Sequence, residues 1–87
     1  MTIWKWTLPI LYQRNMIPMP EGARILAVQT QFGVPCIWAL VDPSHETEER
    51  TFALYGTGHP IVDRYHSYIG TIQLQDGAFV FHVFEVW

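Results

Sequence analysis

An Asp-Gly pair between two strand-like runs constrains the fold more than any other feature of this sequence. Asp76-Gly77 follows the run Tyr68–Gln75 and precedes the run Phe79–Trp87. A two-residue hairpin turn needs positive φ at both central residues, and Asp-Gly adopts that conformation readily. The sequence therefore predicts two antiparallel strands joined by a tight turn.

The run after this turn is apolar on both of its faces. Alternation places Phe79, Phe81, Val83 and Trp87 on one face, and Ala78, Val80, Phe84 and Val86 on the other. A strand that is buried on both faces has this nearly continuous apolar pattern. We therefore expect the run to be a central strand of a closed or two-layered β domain.

Further alternating runs precede the hairpin, separated by turn-forming residues. They are Ile3–Leu8, Arg24–Gln31, Cys36–Val41 and Arg50–Tyr55. Pro9 ends the first run or marks it as an edge strand. The stretch Ile17–Pro20 is expected to be extended, because each proline restricts the residue before it. No amphipathic helix is indicated, although Ile61–Ser67 fits one short helical turn.

These patterns predict an all-β fold that forms one domain over residues 1–87. We expect five to six strands, arranged as a small antiparallel β-barrel, or as a curled sheet or sandwich. At 87 residues, with 49% hydrophobic and 15% aromatic residues, the chain has ample material for a core. The excess suggests that apolar surface is left over for a partner.

Composition also limits the classes of function. The net charge of −3 provides no basic surface, which argues against nucleic-acid binding. No apolar run approaches the length of a membrane span, so no membrane partner is expected. The lone Cys36 excludes an internal disulfide and fits a reducing compartment. We therefore expect a cytoplasmic protein.

The segment Gly56-Thr57-Gly58-His59-Pro60 is the best candidate for a ligand site. Its glycines allow a ligand to approach the backbone closely, and successive amides can bind an anion. Tyr65 or Tyr68 can stack on a base. The predicted ligand-binding residues are Tyr55, Gly56, Thr57, Gly58 and His59, with Arg50 and Arg64 to pair with phosphate. The alternative interpretation is a plain tight turn, which is the commoner role of an isolated Gly-x-Gly.

Catalytic and metal-binding patterns are not indicated. The spacing of the histidines matches no metal motif, and Cys36 supplies a single sulfur ligand. His82 lies in an apolar strand, which is typical of a hydrogen-bonded histidine in the core or at its rim. No nucleophile, base and orienting group are grouped in the sequence. We predict no enzyme activity, no cofactor and no metal site.

The chain has four tryptophans, which is many for its length. They either pack in the core or form an interface, where such side chains concentrate. If Trp87 and the pair Trp4 and Trp6 lie on neighbouring strands, the three make one apolar patch. We predict that this patch closes on a second subunit and that the protein is a homo-oligomer.

Four segments together resemble a family of small proteins without an assigned activity that are carried by bacteriophages and prophages. They are Met19–Leu26, Val34–Asp42, Tyr55–Ile61 and Phe79–Val86, so the resemblance covers nearly the whole chain. It implies a protein made inside a bacterial host cell, and it assigns a role to no residue.

Two hypotheses of function follow. The first is a non-enzymatic binding protein that captures a small phosphorylated ligand at the Gly56–His59 loop and so sequesters a nucleotide signal of host defence. The second is an interaction or structural module that binds a host or phage protein through an edge strand or a tryptophan-rich patch.

Overall fold

The computed structural model describes residues 1–8 and 14–87, most of which lie in seven strands. The strands are β1 (Thr2–Thr7), β2 (Arg14–Pro20), β3 (Arg24–Gln31), β4 (Val34–Val41), β5 (Thr47–Gly56), β6 (Tyr65–Leu74) and β7 (Phe79–Val86). The described residues include no helix, so the all-β prediction is confirmed. The helical turn considered for Ile61–Ser67 does not form, because β6 begins at Tyr65. The predicted role of Pro9 lies outside the described residues.

The strands form two antiparallel sheets. One has the order β1-β4-β3, and the other has the order β2-β5-β7-β6. The inner faces of both sheets enclose one main core, which includes Ile37 and Val41 from β4 and Phe52 and Leu54 from β5. The sandwich alternative fits this arrangement, whereas the sheets are not closed into a barrel.

Strand β7 occupies the central position that its sequence predicts. It pairs with β5 on one side and β6 on the other. On the inner face, Phe81 and Val83 are fully buried in the main core. On the outer face, Phe84 and Val86 belong to a second, smaller cluster. The ends of the run differ from the prediction, since Phe79 is 45% exposed and Trp87 is 65% exposed.

The predicted hairpin between β6 and β7 is confirmed, but its loop is longer than two residues. Positive φ extends over Gln75, Asp76 and Gly77, with angles of 50°, 53° and 88°. The Gly77 amide donates to the Leu74 carbonyl at 3.2 Å, and the Ala78 amide donates to the Gln75 carbonyl at 3.0 Å. Strand β6 therefore ends at Leu74.

Strand β2 is the element that the sequence patterns did not predict as a strand. It is extended, as expected for its proline-rich end, and it pairs with β5 at the edge of the larger sheet. Pro18 and Pro20 are two residues apart, so their nitrogens point to the same side of the strand. On an edge strand that side can face away from the sheet, and the missing amides cost no ladder hydrogen bonds.

The two sheets approach each other closely along β3 and β6. The Thr30 hydroxyl of β3 donates to the Gln73 carbonyl of β6 at 3.0 Å. A Cβ atom placed on Gly70 of β6 would lie 2.7 Å from Cγ1 of Val28 on β3. This glycine therefore lets the sheets come together along that side of the sandwich.

Candidate functional site

The glycine-rich segment forms a tight turn at the end of β5. The His59 amide donates to the Gly56 carbonyl at 3.1 Å, and Gly58 has a φ of +86°. Thr57, Gly58 and His59 are exposed. The turn is thus accessible, but one of its amides is already used. A bound anion would find fewer backbone donors than the sequence suggests.

A cavity of about 200 Å³ lies beside this turn, over the outer face of the larger sheet. Its lining residues are Tyr55, Gly56, Thr57, Gly58, His59, Ile61, Tyr68, His82 and Phe84. We call it the Gly-turn pocket. It brings together six of the residues proposed from the sequence, Tyr55 to His59 and Tyr68, and it adds Ile61, His82 and Phe84.

Aromatic rings form one wall of the Gly-turn pocket. Phe84 contacts three tyrosine rings edge to face, with centroid distances of 6.0 Å to Tyr55, 5.0 Å to Tyr65 and 5.4 Å to Tyr68. Such geometry is favourable for aromatic pairs. Tyr65 and Tyr68 remain 56% exposed. The cluster therefore presents ring surface to solvent.

Irregularities in β6 explain why these tyrosines share a face. The register between β6 and β7 shifts between Tyr65 and Ser67, and again between Tyr68 and Gly70. Each shift inserts one extra residue, which resets the alternation of side chains. Tyr65, Tyr68 and Thr71 consequently all lie on the outer face. Plain alternation had placed Tyr68 and Thr71 on opposite faces, which is wrong.

A row of hydrogen-bonding side chains crosses the strands next to the aromatic wall. His82 Nε2 lies 2.7 Å from the Thr57 hydroxyl, and His82 Nδ1 lies 3.0 Å from the Thr71 hydroxyl. The Thr71 hydroxyl also lies 2.5 Å from the Tyr68 hydroxyl. His82 therefore lies on the outer face of the central strand β7, where it links the turn after β5 to β6.

Tyr55 is held in the Gly-turn pocket by its own hydrogen bond. Its hydroxyl donates to the Asp63 carboxylate, which in turn lies 3.4 Å from the Arg14 guanidinium. Arg14 also donates to the backbone carbonyl of Trp87. Burial and the hydrogen bond to Asp63 raise the pKa of Tyr55 to about 12. The phenol therefore remains a neutral hydrogen-bond donor at physiological pH.

Arg50 does not reach the Gly-turn pocket. It lies six residues before Gly56 on β5, a separation of roughly 20 Å along a strand. Its guanidinium makes two hydrogen bonds to Glu85, at 2.6 and 2.9 Å, and a third to the Ala23 carbonyl at 2.6 Å. Glu85 is 5% exposed, so the pair is a structural clamp near the core.

Arg64 is also absent from the pocket lining. It is exposed, and its carbonyl accepts a hydrogen bond from the Trp87 amide at 2.9 Å. None of the described residues that line the Gly-turn pocket is a lysine or an arginine. The predicted pairing of Arg50 and Arg64 with a phosphate at the turn has no support in this arrangement.

The three tryptophans predicted to share one patch are separated. Trp4 and Trp6 lie on β1 in the smaller sheet, with ring centroids 6.1 Å apart. Trp87 follows β7 in the larger sheet, and its ring centroid lies 4.6 Å from that of His66. Since β1 and β7 are in different sheets, the condition on which a single patch was predicted is not met.

Sequence reasoning missed Thr71, His82 and Phe84 as members of the site. The register pairs His82 with both Tyr55 and Thr71, and it pairs Phe84 with Tyr68. These three residues could be found only from the pairing of β5, β6 and β7, because residues directly opposite each other on paired strands lie on the same face of the sheet.

Over residues 1–8 and 14–87, no three His, Cys, Asp or Glu side chains are grouped so that they could hold a metal ion. The described part of the chain also includes no helix that is long and apolar enough to cross a membrane.

Comparisons with known proteins give one match. Searches among curated proteins and among solved structures found nothing similar to the chain. A family model described as "Domain of unknown function (DUF7352)" matches residues 1–87. The chain is therefore a member of the DUF7352 family.

Proposed function

We propose that this protein is a non-enzymatic binding protein that holds a small planar ring of the nucleobase class in the Gly-turn pocket. The observation that carries the proposal is a single cavity with an aromatic wall on one side and a row of hydroxyl and imidazole groups on the other. A nucleobase has the two matching features, an apolar face and a hydrogen-bonding edge.

The aromatic wall supplies the stacking surface. Tyr68 lines the pocket and is 56% exposed, so its ring can lie against a base without rearrangement of the sheet. Stacking on an aromatic side chain tolerates every base, because each base has a π face. The neighbouring Phe84 and Tyr55 rings hold this surface in place.

The polar row supplies hydrogen bonds to the ring edge. Both His82 nitrogens contact threonine hydroxyls, so the Thr57 hydroxyl is the group that reaches the ligand. It donates to the ligand when His82 Nε2 carries the proton, and it accepts from the ligand when His82 Nε2 does not. Thr71 on the far side of His82 orients the imidazole. The row therefore adapts to different donor and acceptor patterns.

Size and charge favour the base over the phosphate as the bound part. The cavity of about 200 Å³ is smaller than the ~300–1,000 Å³ of pockets for drug-sized ligands, so it fits one ring. The rest of a nucleotide would extend over the turn toward a second cavity of about 490 Å³, lined in part by His59 and Phe79. With no arginine or lysine in the pocket lining, phosphate adds little to the affinity.

Calorimetry against matched ligands tests this proposal. A nucleoside and its 5′-monophosphate should bind with similar affinity, and inorganic phosphate should not bind. Tyr68→Ala should weaken binding roughly 5- to 150-fold, the range expected from the loss of one stacked base. Phe32→Ala is the control, because Phe32 is 98% exposed and lies in a turn away from the pocket. A folded protein that binds no base, nucleoside or linear or cyclic nucleotide would contradict the proposal.

The cellular setting is part of the proposal. We place the protein in the cytoplasm of a bacterial host, made by a phage or prophage, where it withdraws a nucleotide signal of host defence. The sequence resemblance supports this setting, and the single buried Cys36 is compatible with a reducing compartment.

The alternative function is a protein-interaction module that uses an edge strand. It is supported by strand β1, on which Ile3 is 56% exposed and Trp4 is 42% exposed. Under this alternative, Trp4→Ala weakens capture of a host or phage protein, whereas Gly58→Val in the Gly-turn pocket leaves capture unchanged.

A further inference from the structure

The free edges of the two sheets differ in what protects them. Unpaired backbone groups on an edge strand can pair with another chain unless something blocks them. Strands β3 and β6 lie against each other, since the Thr30 hydroxyl donates to the Gln73 carbonyl and Val28 packs against Gly70. Strand β6 also has two register shifts. Strand β2 has Pro18 and Pro20, which interrupt its row of amide donors.

Strand β1 has none of these protections in the part of the chain that is described. Its six residues contain no proline, and their pairing with β4 is regular from Thr2 to Thr7. All of them except Trp6 are exposed. The edge of β1 away from β4 is therefore a regular strand that is available for pairing.

The one charge on β1 is turned away from this edge. A lysine on an edge strand usually discourages pairing, because its ammonium group must stay in water. Here the Lys5 ammonium donates to the Gln31 side chain at 2.6 Å, across its own sheet. Its charge thus lies over β4 and β3 and does not block pairing at the free edge of β1.

We propose that β1 pairs antiparallel with β1 of a second copy of this chain, so that two three-stranded sheets become one continuous sheet. A two-fold axis perpendicular to the sheet places residues of the same parity opposite each other. We propose the register centred on Trp4, which puts Trp4 opposite the partner's Trp4 and Ile3 opposite the partner's Lys5, and so does not face two lysines.

The side chains of β1 fit this register and support a second copy as the partner. Ile3 and Trp4, which lie on opposite faces of the strand, both keep about half of their surface exposed. In the paired sheet, Ile3 covers the aliphatic stem of the partner's Lys5 on one face, and the two Trp4 indoles meet on the other. The strand is therefore complementary to itself on both faces.

A matched pair of substitutions at one position tests the register. Ile3→Lys and Ile3→Glu both remove the apolar group, but they place opposite charges across from the partner's Lys5. By symmetry each contact occurs twice, so Ile3→Lys should weaken the dimer roughly 2- to 30-fold relative to Ile3→Glu. Adding Lys5→Glu to Ile3→Lys should restore dimerisation. Sedimentation velocity over a concentration series measures these constants.

The wild-type protein should be a dimer at high concentration and dissociate reversibly on dilution. Each Ile3 variant should fold, because Ile3 is outside the core, and circular dichroism checks this. A wild-type protein that stays monomeric at its highest soluble concentration overturns the proposal. A dimer that Ile3→Lys and Ile3→Glu weaken equally overturns it too, because that result means that β1 is not paired in this register.

Discussion

At the scale of single residues, the structure gives two predicted ligand-binding side chains different roles. Arg50 is part of a buried clamp with Glu85, and Tyr55 is a buried phenol that donates to Asp63. Both are polar groups whose burial would destabilise the folded protein if their partners were missing. Their energetic roles can therefore be measured by removing one partner at a time.

Removal of Arg50 should destabilise the fold strongly. Arg50→Met removes both guanidinium hydrogen bonds from the buried Glu85 carboxylate and leaves it only the His66 imidazole at 3.6 Å, which costs about 3–5 kcal/mol in the free energy of unfolding. The double variant Arg50→Met with Glu85→Met should lose less than Arg50→Met alone, because no buried charge is left. Urea denaturation measures both values. A double variant that is less stable than the single variant would contradict this account of the clamp.

Tyr55 should make stability fall at high pH. Its pKa is raised from 10.0 in the unfolded chain to about 12 in the folded protein. Between these two values the unfolded state loses the proton first, so stability decreases as the pH rises through that window. The stabilisation that comes from the protonated Tyr55 phenol is fully present below pH 10. Tyr55→Phe should abolish this part of the pH dependence, as measured by denaturation at a series of pH values.

At the scale of elements, the register shifts of β6 and the absence of a side chain at Gly70 shape both the site and the packing. The shifts bring Tyr65, Tyr68 and Thr71 to the outer face. Gly70 leaves room for Val28 on the inner face, where β3 and β6 meet. Strand β6 therefore contributes to the candidate site and also closes one side of the sandwich.

Gly70→Ala should destabilise the protein by about 1–3 kcal/mol, because the new methyl group overlaps Val28 in a closely packed region. The φ of Gly70 is not positive, so the cost comes from the contact and not from the backbone conformation. Adding Val28→Ala to Gly70→Ala should recover part of the loss, since it removes the clashing atom. Denaturation of the wild-type protein, the two single variants and the double variant gives the coupling energy between Val28 and Gly70. Additive effects would show that the two residues do not meet.

At the scale of the whole molecule, the two proposed binding surfaces belong to different sheets. The Gly-turn pocket lies on β5, β6 and β7, and the edge proposed for dimerisation lies on β1. Both sheets contribute to the main core, but no residue is shared by the two surfaces. Substitutions at Ile3 should therefore leave ligand binding unchanged, and the two proposals can succeed or fail independently.

Local sequence patterns determined the class of this protein and its C-terminal hairpin. Alternation over five to eight residues, and an Asp-Gly pair with positive φ, act within short stretches, so the strands and the turn could be predicted. The same patterns identified the glycine-rich turn from Gly56 to His59 as a candidate site. They did not identify β2, because the prolines of an edge strand resemble those of a loop.

Tertiary structure alone decided which side chains meet at that turn. Alternation is reset by each register shift, so the sequence placed Tyr68 and Thr71 on opposite faces. The pairing of β7 with β5 and β6 brought His82 and Phe84 to the pocket, and the pairing of β5 with β7 put Arg50 beside Glu85. These contacts join residues far apart in the chain, and a pattern that repeats every two residues carries no information about them.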